Sequence, residues 1–388
     1  MATAQMHHTP HQVFFVAPEG NDAGHGSWDD PWRTIQRAAD TLRAGQTVLI
    51  RGGVYRERVM PRHSGSAGQP IRYIAFPGER VSIDGAGIEL PAYTPVTPRS
   101  PLPGHDWPGA HIGHPRSLGG LFHLEGVAHI EVQGLEVINA GPHCDNAGIL
   151  VKDCNDIAVV GNVTRNTMSS GIGVWRSHRI TLVDNEVDLA CNDGSQECIT
   201  LAGVDDFEVG YNHVHHSGPG RQGGEGIDIK HGSSRGRVHH NHVAYINRPG
   251  IYVDAWNTLT RAIEIDQNLV HHNAGDGITV ASEAGGLLED VHIHDNIVFS
   301  NGYSGFVVGW YGDVEHQPIR GVVVARNCFF DNGRRGLGGG VWIENPDSQE
   351  IVIRHNQLWS NREFELAVRS DVPPGAVIIQ ENDIATQR

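Results

Sequence analysis

The amino-acid sequence predicts an all-β, single-stranded right-handed parallel β-helix, a solenoid with an N-terminal capping helix. Two in-phase repeats indicate this fold, and the chain lacks the long runs of 3.6-residue periodicity that helical repeats require. The first repeat is an asparagine that recurs every 23 to 31 residues and is followed two positions later by a strand-forming residue. Its members are Asn162, Asn185, Asn212, Asn241, Asn268, Asn296, Asn327, Asn356 and Asn382. Stacked amides at a turn predict a structural role for this column.

The second repeat is a short strand of the form Gly-Ile-x-Val-x. Because strand side chains alternate between two faces, the Ile and Val positions are predicted to point inward and the variable positions outward. The copies begin at Gly148, Gly171, Cys198, Gly226, Gly250, Gly277, Gly305 and Gly340. Residues far apart in the sequence should therefore meet in columns on one outer face of the coil.

The elements before the repeats complete the predicted domain, which spans residues 13–388. Residues 30–44 carry Pro31 and an amphipathic pattern, and we expect a helix there that covers the open end of the coil. Residues 91–118 are rich in Pro, His and Gly and are predicted to form a loop insertion. Residues 1–12 are predicted to be a disordered N-terminal segment.

Composition excludes several classes of partner. The formal charge of −16 argues against nucleic acid and anionic membranes, and no apolar run approaches the ~20 residues of a membrane span. No long apolar outer face is evident, so we expect a monomer.

Residues 1–12 do not resemble a secretory signal, which leaves a cytoplasmic protein or a secreted enzyme lacking its signal. The five cysteines are read as free thiols, with a Cys191–Cys198 bridge as the alternative.

Charged residues concentrate on the outward positions of the middle rungs. Five of them, Glu197, Glu225, Asp228, Lys230 and Asp254, are predicted to form one patch, because neighbouring rungs lie ~4.8 Å apart. Carboxylates stacked this closely require either a bound cation or raised pKa values. Either outcome is typical of a functional site.

Lys230 is one of two lysines in the chain. A desolvated lysine could act as a general base, whereas an ion pair with Asp254 would keep Lys230 protonated, and the sequence leaves both open. Arg221, His231 and Arg248 lie near enough in rung position to bind a carboxylate or an oxyanion.

Aromatic residues on the same side indicate a carbohydrate partner. Flat rings stack on sugar faces, and the candidates are Trp175, Tyr252, Trp256, Trp310, Tyr311 and Trp342. Glu283 and Glu344 extend the acidic line and are candidates for binding hydroxyl groups. The paired histidines, such as His215-His216 and His271-His272, are expected to have surface and turn roles rather than to bind zinc.

The N-terminal region carries a resemblance to a known family. Residues 16–22, 31–38 and 48–57 read VAPEGND, PWRTIQRA and VLIRGGVYRE. They resemble the opening of bacterial right-handed β-helix proteins that include the family-nine pectate lyases. The resemblance implies a Ca²⁺ site held by Glu197, Glu225 and Asp228, although Gly224 stands where a further acidic ligand is usual and two of these three ligands are Glu instead of Asp.

The resemblance also implies a reaction. Calcium and Arg248 would neutralise a uronate carboxylate, Lys230 would take the C5 proton, and the leaving oxygen would be protonated by water or His231. We therefore expect a polysaccharide lyase acting by β-elimination in a cleft on the outer face. Two alternatives remain: a glycoside hydrolase using Asp228 and Asp254, and a non-catalytic glycan-binding β-helix.

Overall fold

A computed structural model describes residues 12–91, 119–194, 196–220, 223–311 and 314–385. The predictions of a disordered segment at residues 1–12 and of a loop at 91–118 fall almost entirely outside the described residues. The remainder is built from parallel strands that coil around one apolar core, as the repeats predict.

The first sheet has the most strands of the three. This sheet has 14 strands, with parallel pairing throughout. They are Val13–Val16, Thr47–Ile50, Ile71–Ala75, Ala128–Gln133, Asn155–Val160, His178–Val183, Asp205–Gly210, Ser234–His239, Leu259–Asp266, Leu287–His294, Ile319–Ala325, Ser348–Gln349, Ile351–Arg354 and Val377–Gln380.

The second sheet follows the first in each rung, and from Asn162 onward each of its strands begins directly after an asparagine of the column. Its 12 strands are Gly53–Tyr55, Val81–Asp84, Glu136–Ile138, Val163–Arg165, Glu186–Asp188, His213–His215, His242–Ala244, Leu269–His271, Ile297–Phe299, Cys328–Phe330, Gln357–Trp359 and Asp383–Ile384.

The third sheet contains the Gly-Ile-x-Val repeat. Its 10 strands are Gly119–Glu125, Asn146–Lys152, Ile172–Trp175, Ile199–Ala202, Ile227–Lys230, Ile251–Asp254, Ile278–Ala281, Phe306–Val308, Val341–Ile343 and Leu366–Val368. Isoleucines pair with isoleucines in register, as in Ile172 with Ile199 and Ile199 with Ile227. These side chains are fully buried, which confirms the predicted inward face. Each contributes about 1.5–3 kcal/mol of burial free energy.

The asparagine column forms the predicted ladder. Nδ2 of Asn241 donates to Oδ1 of Asn268 at 3.0 Å, and the same contact recurs between every successive pair from Asn162 to Asn382. A second ladder, Asn273–Asn301–Asn332–Asn361, was not predicted. Both ladders satisfy turn backbone groups that would otherwise be buried without partners.

The N-terminal helix spans Ile35–Thr41, which is shorter than the predicted residues 30–44. Residues before it are extended: Trp32 forms a bridge with Val16, and Thr34 is the N-cap, with its side chain accepting from the Arg37 amide. Ile35 faces the core. That this helix caps the coil stays a prediction. It is the one helix in the part of the chain that the structure describes, and none there is long and apolar enough to cross a membrane.

Candidate active site

The predicted charged patch lies on the outward face of the third sheet. Asp228 and Lys230 project from strand Ile227–Lys230, and Asp254 ends the next strand. Glu197 and Glu225 precede their strands by two residues. The register pairs Thr200 with Asp228 and Asp228 with Tyr252, so the repeat brings the predicted residues together.

Lys230 forms one ion pair with the preceding rung and one within its own strand. Its Nζ lies 2.6 Å from Oε1 of Glu197 and 3.3 Å from Oδ2 of Asp228. Glu197 is held in place by Thr200, whose Oγ1 donates to Oε2 of Glu197 at 2.9 Å. The predicted partner, Asp254, is therefore not the one that Lys230 contacts. The residue paired with Lys230 on the preceding strand is Ala202, and its small side chain leaves room for the lysine stem to cross to Glu197.

These pairs set the protonation of the lysine. Burial opposes the charge on Lys230, but the carboxylates of Glu197, Asp228 and Asp254 outweigh it and raise the pKa of Lys230 above its ordinary value. Of the two roles predicted for Lys230, the resting arrangement is the protonated ion pair.

The neighbouring carboxyl groups are shifted toward their neutral forms. Burial, reinforced by Glu197, raises the pKa of Glu225 to about 7. Burial raises the pKa of Asp228 well above its ordinary value although Lys230 opposes the shift, and burial with the charge of Glu283 does the same for Asp254. These raised pKa values agree with the sequence-based expectation for closely stacked acids.

The patch is enclosed rather than open. The exposed fractions are 2% for Asp228, 4% for Glu197 and Asp254, 7% for Lys230 and 8% for Glu225. Three buried carboxyl oxygens have no hydrogen-bond partner among the described residues: Oε2 of Glu225, Oδ1 of Asp228 and Oδ1 of Asp254. Such groups cost about 1–3 kcal/mol each, so they indicate a place where a ligand or solvent completes the bonding.

The predicted calcium ligands do not fit a calcium ion in this arrangement. The ammonium of Lys230 lies against Glu197 and Asp228, where a cation would have to bind. Among the described residues, two groups of three His, Asp or Glu side chains have ligand atoms within 4.8 Å of one another, and both lie on other faces. The Ca²⁺ site therefore stays a prediction, and it requires these side chains to rearrange.

Arg248 and His231 flank the patch on opposite sides. Nη1 of Arg248 lies 4.0 Å from Oε1 of Glu225, and its side chain is 42% exposed, so it can meet a ligand from solvent. His231 follows Lys230 in a left-handed conformation, with φ of 53°. Its ring packs between Trp175 and Trp256, at centroid distances of 6.4 and 5.9 Å. Arg221 lies outside the described residues.

The predicted sugar-binding aromatics divide into buried and accessible groups. Trp175 and Tyr252 are buried, at 4% and 6% exposure, so they pack over the sheet and leave no face open for a sugar. The Tyr252 hydroxyl donates to Oε1 of Glu283. Trp256, Trp310 and Trp342 are partly exposed.

Trp310, Trp342 and Glu344 belong to later rungs than the patch. The guanidinium of Arg369 lies 5.0 Å from the Trp310 ring centroid, and the Trp342 ring packs against Phe364. Glu344 follows strand Val341–Ile343 directly. These residues extend the candidate surface along the coil axis.

The sequence matches a known family of β-helix proteins. The sequence model of the family described as "Pel9A-like, right handed beta helix region" matches residues 14–367. The chain belongs to this family. The match confirms the predicted resemblance and the right-handed parallel β-helix.

Two relatives of this Pel9A-like chain align over most of its length at low sequence identity. It is 28% identical over 367 residues to the uncharacterized protein YwoF of Bacillus subtilis, covering 89% of this chain and 74% of that one. It is 24% identical over 364 residues to the pectate lyase PEL9 of Emericella nidulans, covering 89% and 73%.

Solved structures share the fold at lower identity. The complex of XylC with xylose has a TM-score of 0.59 at 14% identity, with 96% of this chain and 83% of that chain covered. The periplasmic alginate epimerase AlgG has a TM-score of 0.57 at 13% identity, covering 91% and 83%. At this identity the likeness shows the fold alone.

Two further residues of the Pel9A-like chain lie beside the site: Asp276, which was not predicted as a site residue, and Tyr311, one of the predicted aromatics. Asp276 occupies the same column as Glu197 and Glu225, just before the strand, and burial raises its pKa to about 6. The ring of Tyr311 lies 6.4 Å from that of Tyr252, and burial raises the pKa of Tyr311 above its ordinary value. Asp276 could have been predicted from its position just before the strand, which it shares with Glu197 and Glu225. Tyr311 lies in a loop, where the repeat supplies no register.

Proposed function

We propose that this Pel9A-like protein is a polysaccharide lyase that cleaves a uronate-containing polymer by β-elimination on the outer face of the third sheet. The observation that carries the proposal is Lys230, a buried amine in contact with carboxylates, in a family with a pectate lyase among its relatives. An amine in this position can exchange a proton with a sugar ring only if its ion pairs open.

Elimination makes defined demands on these residues. A base takes the proton from C5, the electron pair forms the C4–C5 double bond, and the C4–oxygen bond breaks. The departing oxygen then needs a proton. We assign proton removal to Lys230 in its neutral form, binding of the uronate carboxylate to the half-exposed Arg248, and proton donation to His231 or water.

The resting ion pair is the barrier that this mechanism must overcome. Glu197 and Asp228 keep Lys230 protonated, so Lys230 becomes a base only when that contact is broken. A substrate carboxylate that displaces Glu197 would still favour the charged amine. If these side chains rearranged to hold Ca²⁺, Glu225 and Asp228 would be among its ligands, and the ion would supply positive charge to the uronate carboxylate.

Entry of a polymer also requires movement. The patch is more than nine-tenths buried, so the side chains above it, Trp256 and the Tyr252–Glu283 pair, have to shift before a sugar reaches Lys230. The partly exposed Trp256 and the half-exposed Arg248 are where we place the first contact with the substrate.

A glycoside hydrolase is the second candidate, because one observation favours it. Burial raises the pKa values of both Asp228 and Asp254, which is the direction that a general acid needs. In that mechanism Lys230 supports the carboxylates and takes no proton from the sugar.

One assay separates these proposals. The protein is incubated with pectate, alginate, glycosaminoglycans and neutral glycans, with Ca²⁺ or with chelator, and unsaturated uronate absorbance is followed beside reducing ends. The lyase proposal expects absorbance that is lost in Lys230→Arg, since an arginine keeps the positive charge but cannot act as a base. The matched control is Lys152→Arg, at the other lysine, which should keep full activity.

Other outcomes assign the function differently. Reducing ends without absorbance, lost in Asp228→Asn or Asp254→Asn and retained in Lys230→Arg, would replace the lyase with the hydrolase. Binding of a glycan without any product would support a non-catalytic role. Activity that is unaffected by chelator would remove calcium from the proposal and leave the lyase assignment standing.

A further inference from the structure

A group of metal-ligand side chains lies on the outward face of the second sheet, on a different face from the charged patch. Nδ1 of His215 and Nδ1 of His216 are 2.7 Å apart. Oδ1 of Asp188, on the preceding strand, lies 3.3 Å from Nδ1 of His215 and 4.0 Å from Nδ1 of His216. Three potential ligand atoms therefore converge on one point.

Contrary to the surface role expected from the sequence, we propose that Asp188, His215 and His216 form a binding site for a first-row divalent transition metal such as Zn²⁺. Tetrahedral coordination at Zn–N and Zn–O distances of about 2.0–2.1 Å places ligand atoms roughly 3.3 Å from one another. The three separations in the structure, 2.7, 3.3 and 4.0 Å, bracket that value, so small side-chain rotations suffice. A water molecule would complete the coordination.

Neighbouring residues orient the ligands as a metal site requires. Oε1 of Glu186 lies 3.6 Å from Nε2 of His215, the ring nitrogen that faces away from the proposed metal. A carboxylate behind a ligating histidine selects the tautomer that leaves the other nitrogen free to bind. Arg165 donates to Oδ2 of Asp188, which leaves Oδ1 directed toward the imidazoles.

The backbone and a stacked ring position the second histidine. His216 adopts a left-handed conformation, with φ of 52°, which turns its side chain back beside that of His215. Tyr245 stacks on the His216 ring at 5.0 Å with planes 10° apart.

Ligand chemistry selects the class of ion. Two imidazole nitrogens and one carboxylate suit Zn²⁺, Ni²⁺ or Cu²⁺, whereas Ca²⁺ and Mg²⁺ bind oxygen ligands. The second group of this kind, Glu264, Asp266 and His294, is less suited. Arg237 donates to both carboxylate oxygens of Asp266, at 2.7 Å each, so neither is free.

The chain supplies a matched control for this site. His271 and His272 repeat the geometry, with Nδ1 atoms 2.9 Å apart and a left-handed second residue. The residue paired with His271 on the preceding strand is Ala244, where His215 has Asp188. If the carboxylate completes the site, the first pair binds a metal and the second does not.

Zn²⁺ titration by calorimetry on the full chain tests the proposal. We expect His216→Ala and Asp188→Asn to lower the affinity of one stoichiometric site at least ~tenfold, and His272→Ala to change it less than about twofold. The visible absorption of bound Co²⁺ should fall in the same two variants. His216 is 60% exposed, so its loss should leave the unfolding midpoint without metal unchanged.

Several results would overturn the site. Equal titrations for the wild-type protein, His216→Ala and Asp188→Asn would mean that any zinc binds elsewhere, for example at His7 or His8, and is adventitious only. An equal loss in His272→Ala would show binding by histidine pairs in general. A Ca²⁺ titration that matched Zn²⁺ would contradict the proposed class of ion.

Discussion

Nζ of Lys230 lies 2.6 Å from Oε1 of Glu197, a residue 33 positions earlier in the chain. Both side chains are more than nine-tenths buried. Such a pair contributes little net stability when complete, because desolvation offsets the attraction, but removing one partner leaves a buried charge uncompensated. The contact therefore links the integrity of the third sheet to the chemistry proposed for it.

Lys230→Ala should destabilise the protein by about 3–5 kcal/mol at pH 8. Without the ammonium, Glu197, Asp228 and Asp254 have no cation to balance them. The loss should shrink at pH 5, because burial raises the pKa values of Asp228 and Asp254 and their protonation removes uncompensated charge. Urea unfolding at both pH values measures it.

Lys152→Ala is the matched control for that measurement. Lys152 pairs with Glu125, whose side chain is 42% exposed, so solvent screens the charge left behind. We expect a cost of at most about 1 kcal/mol from the charge, with little dependence on pH. Equal losses of unfolding free energy in the two variants would show that removing Lys230 leaves no more uncompensated buried charge than removing Lys152.

Glu225→Gln should stabilise the protein above pH 7. The folded-state pKa of Glu225 is about 7, above its ordinary value of 4.5. A carboxyl group with a raised pKa binds more protons in the folded state, so stability falls as the pH rises from about 4.5 to about 7. Glutamine removes this loss, which amounts to at most roughly 3 kcal/mol at 1.36 kcal/mol per pKa unit.

The pH profile of the free energy of unfolding, measured for the wild-type protein and Glu225→Gln, checks this sign. The two curves should separate as the pH rises and should approach each other near pH 5. Glu381→Gln is the control, because the Glu381 side chain is 78% exposed. A Glu225→Gln protein that is less stable at pH 8 than the wild type would contradict the raised pKa.

Asn241→Ala should cost several kcal/mol, on the order of 3–5. Its amide donates to Oδ1 of Asn268 and to the Val209 carbonyl, and its oxygen accepts from Asn212. The site is buried, so each lost partner leaves a polar group unsatisfied. Asn382→Ala, at the partly buried end of the ladder, should cost less than half as much by thermal or urea unfolding. Equal costs would mean that the ladder is not cooperative along the coil.

Gly236→Ala should destabilise the core by about 1–3 kcal/mol. Gly236 pairs with Phe207 on the neighbouring rung, and an added Cβ would lie 1.9 Å from Cζ of that phenylalanine. The Phe207 ring occupies the space that a side chain at position 236 would need. The double variant Phe207→Leu with Gly236→Ala should recover part of the loss. If the double variant is no more stable than Gly236→Ala, the loss does not come from a clash with the Phe207 ring.

Much of the fold could be predicted because the repeat is a local and redundant signal. The asparagine column and the inward isoleucines each occur once per rung, so an error in one copy is corrected by the others. The helix at Ile35–Thr41 was predicted too long, because Pro31 and Trp32 match a helical pattern while tertiary contacts with Val16 keep that segment extended. The second asparagine ladder was missed, since it begins only at Asn273.

The sequence by itself determined the register, and with it which residues share the outward columns of the third sheet. Strand period and rung spacing depend only on backbone geometry, so Glu197, Asp228 and Lys230 had to meet. Tertiary structure alone decided how they meet: Lys230 reaches Glu197 instead of Asp254, and Trp175 and Tyr252 are buried. Long side chains select among several partners at similar distances, and the packing of the loops above them determines which contact excludes water.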